Sequence, residues 1–240
     1  MKFLWILFFC CGALCQAGVA LPIDRTGTFS NGTIIYQGSP QLEGKTILLK
    51  DKDRVRIQLT SFPAREGTLI VWISPRNWHG LDGHFHILAS LYYANNANKR
   101  KLQIYKYANS DMFSSGLGLP LYDNADGAKP SDPGAVWINY PQNRIANSWK
   151  KNSWQMMAVT WRQQEDSVHL NYYVNDEFAG TANKKASFAE TAELVLGPEW
   201  GEPACTAFKS LELHEVFMPL SQIVEFYETA MECMAKEVEP

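Results

Sequence analysis

Hydrophobic and polar residues alternate along much of this chain with the period of two that is typical of β-strands. The clearest case is RVRIQL at residues 54–59, where Val55, Ile57 and Leu59 alternate with polar side chains and predict a strand with one wet face. The next apolar segment, GTLIVWIS at residues 67–74, is nearly continuous, which predicts a strand buried on both faces. Further β-type segments lie at residues 32–36, 46–49, 84–93, 101–107, 136–140, 154–161, 168–174, 192–197 and 208–217.

Residues 154–174 predict a β-hairpin whose two faces are already sorted by sequence. Along its first strand Trp154, Met156 and Ala158 share one face, and Met157, Val159 and Trp161 share the other. After the polar turn RQQEDS, one face carries Val168, Leu170, Tyr172 and Val174, and the opposite face carries His169, Asn171 and Tyr173. We therefore interpret the tryptophans and Tyr172 as packing residues, and Tyr173 as a candidate ligand contact on the other face.

The C-terminal segment predicts a single helix. Ser221 is a candidate N-cap, and an apolar stripe with helical spacing follows it. The stripe consists of Ile223, Phe226, Tyr227, Ala230, Met231 and Met234. Many short strands followed by one helix predict an all-β sandwich of antiparallel sheets with a short C-terminal helix.

The first 20 residues have the pattern of a secretory signal peptide. Lys2 precedes an apolar run from Phe3 to Leu14, and small residues follow, with expected cleavage after Ala17 or Ala20. A retained N-terminal anchor is the alternative, and no later segment approaches transmembrane length. We expect a secreted, extracellular protein with residues 21–240 as one domain, because no linker or repeat divides them.

Two cysteines, Cys205 and Cys233, lie outside the predicted signal. In an exported chain such a pair predicts one disulfide, worth about 3–4 kcal/mol by the chain-entropy model, with buried thiols as the alternative. Asn31 begins the glycosylation sequon Asn31-Gly32-Thr33. The whole chain has a formal net charge of −3 and no basic run, so nucleic acid is not an expected partner.

The order of motifs resembles the concanavalin A-like lectin/glucanase superfamily, and within it the laminin-G-like domains and their pentraxin relatives. The stretch WQMMAVTW at residues 154–161 is similar to the family's W-x-x-x-A-V-T-W, and NYYVND stands where a V-D-G-like turn is usual. GTLIVWISP resembles the early buried strand, AELVLG the L-x-L-G element, and LELHEVFMPLS the closing strand and helix start. This resemblance implies a jelly-roll sandwich of two antiparallel sheets, with ligands at the rim or on a concave face.

Catalytic patterns are weak in this sequence. Sugar-cleaving relatives need two carboxylates that face the same side of a strand. Here Glu212 and His214 share a face and Glu215 lies on the other, so a second carboxylate in register is missing. No G-x-S-x-G, H-E-x-x-H or phosphate-binding loop occurs. The sequence therefore predicts that the protein is not an enzyme.

The densest polar cluster is RNWHGLDGHFH at residues 76–86. Its Trp78, His79, Asp82 and His84 are the candidate ligand-binding residues of a rim loop, together with Tyr173. His79, Asp82, His84 and His86 are also residue types that bind zinc, which remains an alternative for this loop.

A second candidate site lies in the Gly-, Pro- and Asp-rich segment 109–136, which predicts long loops. Asp123, Asn124, Asp126 and Asp132 offer the oxygen ligands that calcium prefers. Laminin-G-like and pentraxin domains often bind calcium at rim loops, so the resemblance implies calcium as a cofactor here. The alternative is a series of turns whose Asx side chains bind their own backbone.

Together these observations predict a secreted, non-catalytic recognition module that binds a glycan or an extracellular protein through its rim loops. Two alternatives stay open from sequence. One is a carbohydrate-active enzyme, either a glycoside hydrolase or a lyase, with an unrecognised catalytic set. The other is a purely structural extracellular protein with no small-molecule site.

Overall fold

The computed structural model describes the chain in segments that together form a β-sandwich. These segments are residues 18–21, 28–29, 32–43, 46–80, 82–93, 96–108, 115–118, 149–184, 188, 192–198 and 204–236. The predicted glycosylation site Asn31 and the predicted calcium ligands Asp123, Asn124, Asp126 and Asp132 lie outside the described residues.

The described elements are fifteen strands and one helix. The strands are β1 Gly18–Leu21, β2 Thr28–Phe29, β3 Gly32–Gln37, β4 Gln41–Glu43, β5 Thr46–Leu49, β6 Arg54–Leu59, β7 Glu66–Pro75, β8 His86–Tyr93, β9 Asn96–Ala108, β10 Ser115–Gly118, β11 Gln155–Gln164, β12 Ser167–Val174, β13 Glu177–Lys184, β14 Ala192–Leu196 and β15 Thr206–His214. The helix, α1, spans Leu220–Lys236.

The strands form two antiparallel sheets. The first sheet has the order β13-β12-β11-β7-β15-β5-β4, with β1 paired beside β15, and the second has the order β10-β9-β8-β14-β6-β3-β2. Consecutive strands alternate between sheets at several points, as when β5 is followed by β6 and β7 by β8. The predicted sandwich of two antiparallel sheets with one C-terminal helix is confirmed.

The main core fills the space between the two sheets. Strand β6 contributes Val55, Ile57 and Leu59, while its Arg54, Arg56 and Gln58 point the other way, as the period of two predicts. The predicted inner face of the 154–174 hairpin is present too. Its Met157, Val159, Trp161, Val168, Leu170, Tyr172 and Val174 all belong to this core.

A second, smaller core explains why β7 is apolar on both faces. Ile70 and Trp72 point away from the main core and pack with Met156 and Ala158 beneath helix α1. Tyr227 of the helix stacks on Trp72 with ring centroids 5.7 Å apart. The helix begins at Leu220, and the Pro219 carbonyl accepts bonds from the amides of Gln222 and Ile223, so Ser221 lies in the first turn and is not the N-cap.

The N-terminal strand β1 bears on the expected processing site. Gly18 to Leu21 pair with His214 to Leu211 of β15. Cleavage after Ala17 would leave this strand whole, whereas cleavage after Ala20 would remove three of its four residues. Within the described part of the chain, no helix has both the length and the apolar character needed to cross a membrane.

The predicted Cys205–Cys233 disulfide is wrong in this structure, in which both cysteines are free thiols. Cys233 is exposed on α1, since the helix turns its apolar stripe toward the sheet and leaves this position outside the packed cluster. Cys205 lies just before β15 and is half-buried. Burial raises the pKa of the Cys205 thiol, although the nearby cations of Lys50 and Arg76 act in the opposite direction.

Candidate functional site

Loops from separate strands are tied together at the end of the sandwich where β7 finishes. The ties are backbone hydrogen bonds, so they hold the loops in register independently of side-chain chemistry. They run from the amide of Asp51 to the carbonyl of Ala204 (3.1 Å), from Arg76 to Cys205 (2.9 Å), from Gly80 to Trp149 (2.9 Å) and from Asn152 to Pro75 (2.7 Å). The result is a rim whose shape is fixed by the main chain.

A buried ion-pair cluster fixes the 76–86 loop at this end. The Lys106 ammonium donates to an Asp82 carboxylate oxygen and to the His84 carbonyl, the latter at 2.8 Å. The second Asp82 oxygen lies 2.7 Å from Nε2 of His86, and the His84 amide donates to the first at 3.0 Å. The Lys106 side chain is 1% exposed and that of Asp82 12%, so the cluster is shielded from water.

Burial and pairing act in opposite directions on this cluster. Burial raises the pKa of Asp82, but hydrogen bonds from His86, Lys106 and the His84 amide outweigh it and hold that pKa far below its usual range. Burial lowers the pKa of Lys106, and its bond to Asp82 partly opposes this. Asp82 therefore remains a carboxylate, and its negative charge pairs with the Lys106 ammonium inside the protein.

Trp78 is a core residue, contrary to its prediction as a ligand contact. It is 3% exposed and stacks between Trp149 and His86, with ring centroids 5.6 and 4.9 Å away. Its indole nitrogen donates to the Thr206 hydroxyl at 2.9 Å. The ring closes the end of the main core, where burying its apolar area stabilises the fold more than exposure at the rim would.

Tyr173 is also buried, at 1% exposure, although it lies on the hairpin face where the sequence placed it. Helix α1 covers this face, so Tyr173 packs in the smaller core with Trp72 and Met156 and meets Phe178 edge-on at 5.7 Å. Burial raises the pKa of its phenol. Neither Trp78 nor Tyr173 presents a surface to a ligand in this structure.

His79 and His84 are the predicted ligand-binding residues that stay exposed. His84 precedes β8, so it does not share a strand face with His86, and their ring centroids are 6.2 Å apart. Among the described residues, no group of three or more His, Cys, Asp or Glu side chains is arranged to hold a metal ion. The loop thus brings two histidines to the surface above the buried Asp82 cluster.

Four exposed lysines and the half-buried Arg76, which no sequence pattern signals, lie at the same end. We define the basic rim as Lys50, Lys52, Arg76, Lys150 and Lys151, which lie on the loops that the backbone bonds tie together. The Arg76 guanidinium lies 5.6 Å from the Trp154 ring centroid and donates to the Asn152 side-chain oxygen at 3.2 Å. These five cations come from three separate loops, so no run of basic residues signals them in the sequence.

The polar groups on the outward face of the second sheet are satisfied by one another. Gln103 donates to the Ser90 hydroxyl at 2.9 Å, and both side chains are buried. Arg56 forms an ion pair with Glu193 beside them. These buried polar groups therefore have partners within the sheet.

The opposite end of the sandwich has a different character. An open cleft of about 440 Å³ lies between the segment 61–66 and Glu215. Arg162 lies 4.6 Å from the Phe217 ring centroid and is paired with Glu66 at 3.1 Å. Glu212 and His214, which the sequence places on one strand face, are in contact there, with His214 Nε2 3.1 Å from a Glu212 carboxylate oxygen.

Comparison with known proteins identifies the fold. No protein-family model and no curated protein matches the chain. Solved structures of botulinum neurotoxin receptor-binding domains do match. A C/D mosaic serotype domain has a TM-score of 0.64 at 12% identity, covering 89% of this chain and 51% of that one. A serotype D ligand-binding domain in complex with N-acetylneuraminic acid has a TM-score of 0.62 at 11% identity, covering 89% and 50%.

A third match is to a type C structure whose subject is cell entry through two ganglioside molecules, with a TM-score of 0.61 at 14% identity, covering 89% and 51%. This chain therefore spans about half the length of the domains that it matches. Identities this low show a shared sandwich and do not confirm the concanavalin A-like or laminin-G-like assignment. What the comparisons establish is a chain with the sandwich fold of part of these receptor-binding domains.

Proposed function

We propose that this protein is a non-catalytic, extracellular recognition module that binds a glycan at the end of the sandwich formed by residues 50–53, 76–84 and 149–153. The observation that carries the proposal is the 76–86 loop, in which a buried Asp82–Lys106–His86 cluster fixes a surface bearing His79 and His84. Because the described residues of the loop are held by hydrogen bonds within the protein, binding would cost little conformational entropy.

Two further observations support a glycan as the ligand. Exposed amides and imidazoles at a fixed rim are the groups that hydrogen-bond sugar hydroxyls from the side. The solved structures of similar fold include one in complex with N-acetylneuraminic acid and one described through its interaction with gangliosides. Since those domains are twice as long as the matched part, their binding is carried over here as a proposal only.

Export and calcium are part of this proposal. The signal-like N-terminus supports export, and the oxygen-bearing residues of the Asp-rich segment 122–132 support calcium as a cofactor. Glu212 is paired with His214 and not with a second carboxylate on its strand face, whereas retaining or inverting hydrolysis needs two carboxylates that face each other. We therefore favour binding over glycan cleavage.

A glycan-array screen of the secreted protein, with and without a chelator, tests the proposal. Binding should be found, and it should weaken when His79 and His84 are both replaced by alanine. The matched control is His169→Ala, which removes a histidine 6.4 Å from Phe217 at the opposite end. No binding under either condition would overturn the proposal, and cleavage of a bound glycan would replace it with the enzyme alternative.

A further inference from the structure

The basic rim concentrates positive charge on a protein that is acidic overall. The chain has a formal net charge of −3, yet loops 50–53, 76–84 and 149–153 carry five cations. Among the residues that the structure describes, none of these five cations forms an ion pair with a carboxylate. A cluster of unpaired like charges destabilises the free protein slightly and attracts an anionic partner.

The acidic residues of the same loops do not neutralise this surface. The Asp82 carboxylate is already bonded to Lys106 and His86 inside the protein. Asp53 accepts backbone bonds from Ser39 at 2.8 Å and Lys50 at 3.2 Å, so its oxygens are occupied by the main chain. Asp51 is the exposed carboxylate of these loops, and Glu43 of β4 acts with it on the Cys205 thiol, against Lys50 and Arg76, so five cations outnumber the two nearby carboxylates.

Two contacts hold the Arg76 side chain in place. Its guanidinium lies over Trp154 and donates one hydrogen bond to the side-chain oxygen of Asn152. The backbone amide of Asn152 in turn donates to the Pro75 carbonyl. A guanidinium has five N–H donors in a planar fork that matches carboxylate or sulfate oxygens in pairs. With its plane supported by an aromatic ring, Arg76 loses less side-chain freedom on binding than a lysine would.

We propose that the basic rim binds the negatively charged groups of an anionic glycan, with Arg76 as the anchor and Lys150 and Lys151 beside it. This inference rests on the proposed function and narrows it to sugars that carry carboxylate or sulfate. Protein cations neutralise the ligand, so this contact does not depend on calcium.

Titration calorimetry with four defined sugars tests the inference. A sulfated galactan oligosaccharide and sialyllactose supply sulfate and carboxylate respectively, and the desulfated galactan oligosaccharide and lactose are their neutral counterparts. We expect at least one charged sugar to bind, to keep binding in the presence of a chelator, and to bind more weakly as salt rises from about 0.05 to about 0.5 M, because exposed charges are screened. The two charged arms identify which group the rim recognises.

Variants assign the binding to the rim. Arg76→Gln should weaken binding by about tenfold or more, since it removes a charge-assisted contact. The affinity of Arg76→Lys should lie between those of Arg76→Gln and wild type, because lysine keeps the positive charge but lacks the planar fork of donors. The matched control is Arg162→Gln, which removes an arginine that also lies over an aromatic ring but is paired with Glu66.

The outcomes separate this inference from the proposed function. Neutral sugars that bind as tightly as charged ones, or an Arg76→Gln variant that folds and binds like wild type, would overturn the inference and leave glycan recognition standing. A short DNA duplex that binds as tightly as the sulfated sugar through Arg76 would show non-specific polyanion binding, which also overturns it. No binding of any sugar would overturn both.

Discussion

Two arginines, each lying over an aromatic ring, mark the two ends of this sandwich. Arg76 lies over Trp154 just beyond the end of β7, and Arg162 lies over Phe217 where β11 pairs with the start of β7. Strand β7 has ten residues, so the ends are about 30 Å apart. Arg162 has a carboxylate partner and Arg76 has none among the described residues, which makes the first a surface ion pair and the second a candidate anchor.

The ends also differ in how deeply they bury an ion pair. The basic-rim end holds the Asp82–Lys106 pair inside, with side chains 12% and 1% exposed, whereas the Glu66–Arg162 pair is 44% and 49% exposed. Aromatic stacking closes both ends, through Trp78 and Trp149 at the basic rim and through Trp161 and Phe62 at the Arg162 end. The buried ion pair is therefore what sets the basic-rim end apart, and substitutions at the two ion pairs should show it.

The largest expected effect is at the Arg162 end, on replacing Trp161 with alanine. Trp161 is fully buried, stacks on Phe62 at 5.1 Å and donates to the Pro63 carbonyl at 2.7 Å. Its ring packs directly on Gly67, which has no side chain to fill the space that the ring would leave. We expect the free energy of unfolding to fall by about 3–5 kcal/mol. Urea denaturation measures it, and a loss below about 1 kcal/mol would contradict the buried assignment.

At the basic-rim end, Asp82→Asn should destabilise the fold by about 3 kcal/mol, because it leaves the Lys106 ammonium buried without its counter-charge. The double variant with Lys106→Met should recover part of the loss, since no unpaired charge then remains. Thermal or urea unfolding of both variants checks this. Equal destabilisation of the single and double variants would show that the pair is not coupled.

The same carboxylate predicts an acid sensitivity. The pKa of Asp82 is lower in the folded state than the ordinary value of about 3.9, so its stabilisation is present above that value. It is lost as the pH falls below about 4 toward the folded-state pKa, by an amount on the order of 2 kcal/mol. Urea midpoints measured from pH 6 down to the acid limit should therefore fall more steeply for wild type than for Asp82→Asn. Parallel curves would rule out this linkage.

The smallest effect is expected for Glu66→Gln at the Arg162 end. Both partners of its ion pair are nearly half exposed, so solvent screening limits the loss to about 1 kcal/mol or less. Comparison with Asp82→Asn under identical conditions gives the contrast between an exposed and a buried pair. Similar losses of unfolding free energy for the two variants would contradict the distinction between an exposed pair at one end and a buried pair at the other.

The sequence predicted the parts of this structure that have a period. The faces of residues 154–174 and of β6 follow from strict alternation, and the double burial of β7 from its unbroken apolar run. Within the 76–86 loop no period exists, so the sequence could not tell the buried Trp78 from the exposed His79. Tyr173 was on the predicted face, but a strand pattern does not report that a helix covers it.

The candidate site depended on contacts that are distant in sequence. Asp82 meets Lys106 across 24 residues, and nothing in the sequence of either marks the other as its partner. Arg76 meets Asn152 across 76 residues. The charge of the basic rim is likewise scattered over three loops, which only the fold brings together. Residue types in the loops indicated a binding region, and the fold supplied which of them remain exposed.

The most direct test is to map where a bound glycan protects the protein. Amide hydrogen exchange can be compared with and without a saturating charged oligosaccharide, either sialylated or sulfated. The account predicts that protection concentrates in residues 50–53, 76–84 and 149–153 and leaves residues 61–66 and 162–166 unchanged. Protection confined to the Arg162 end would contradict it.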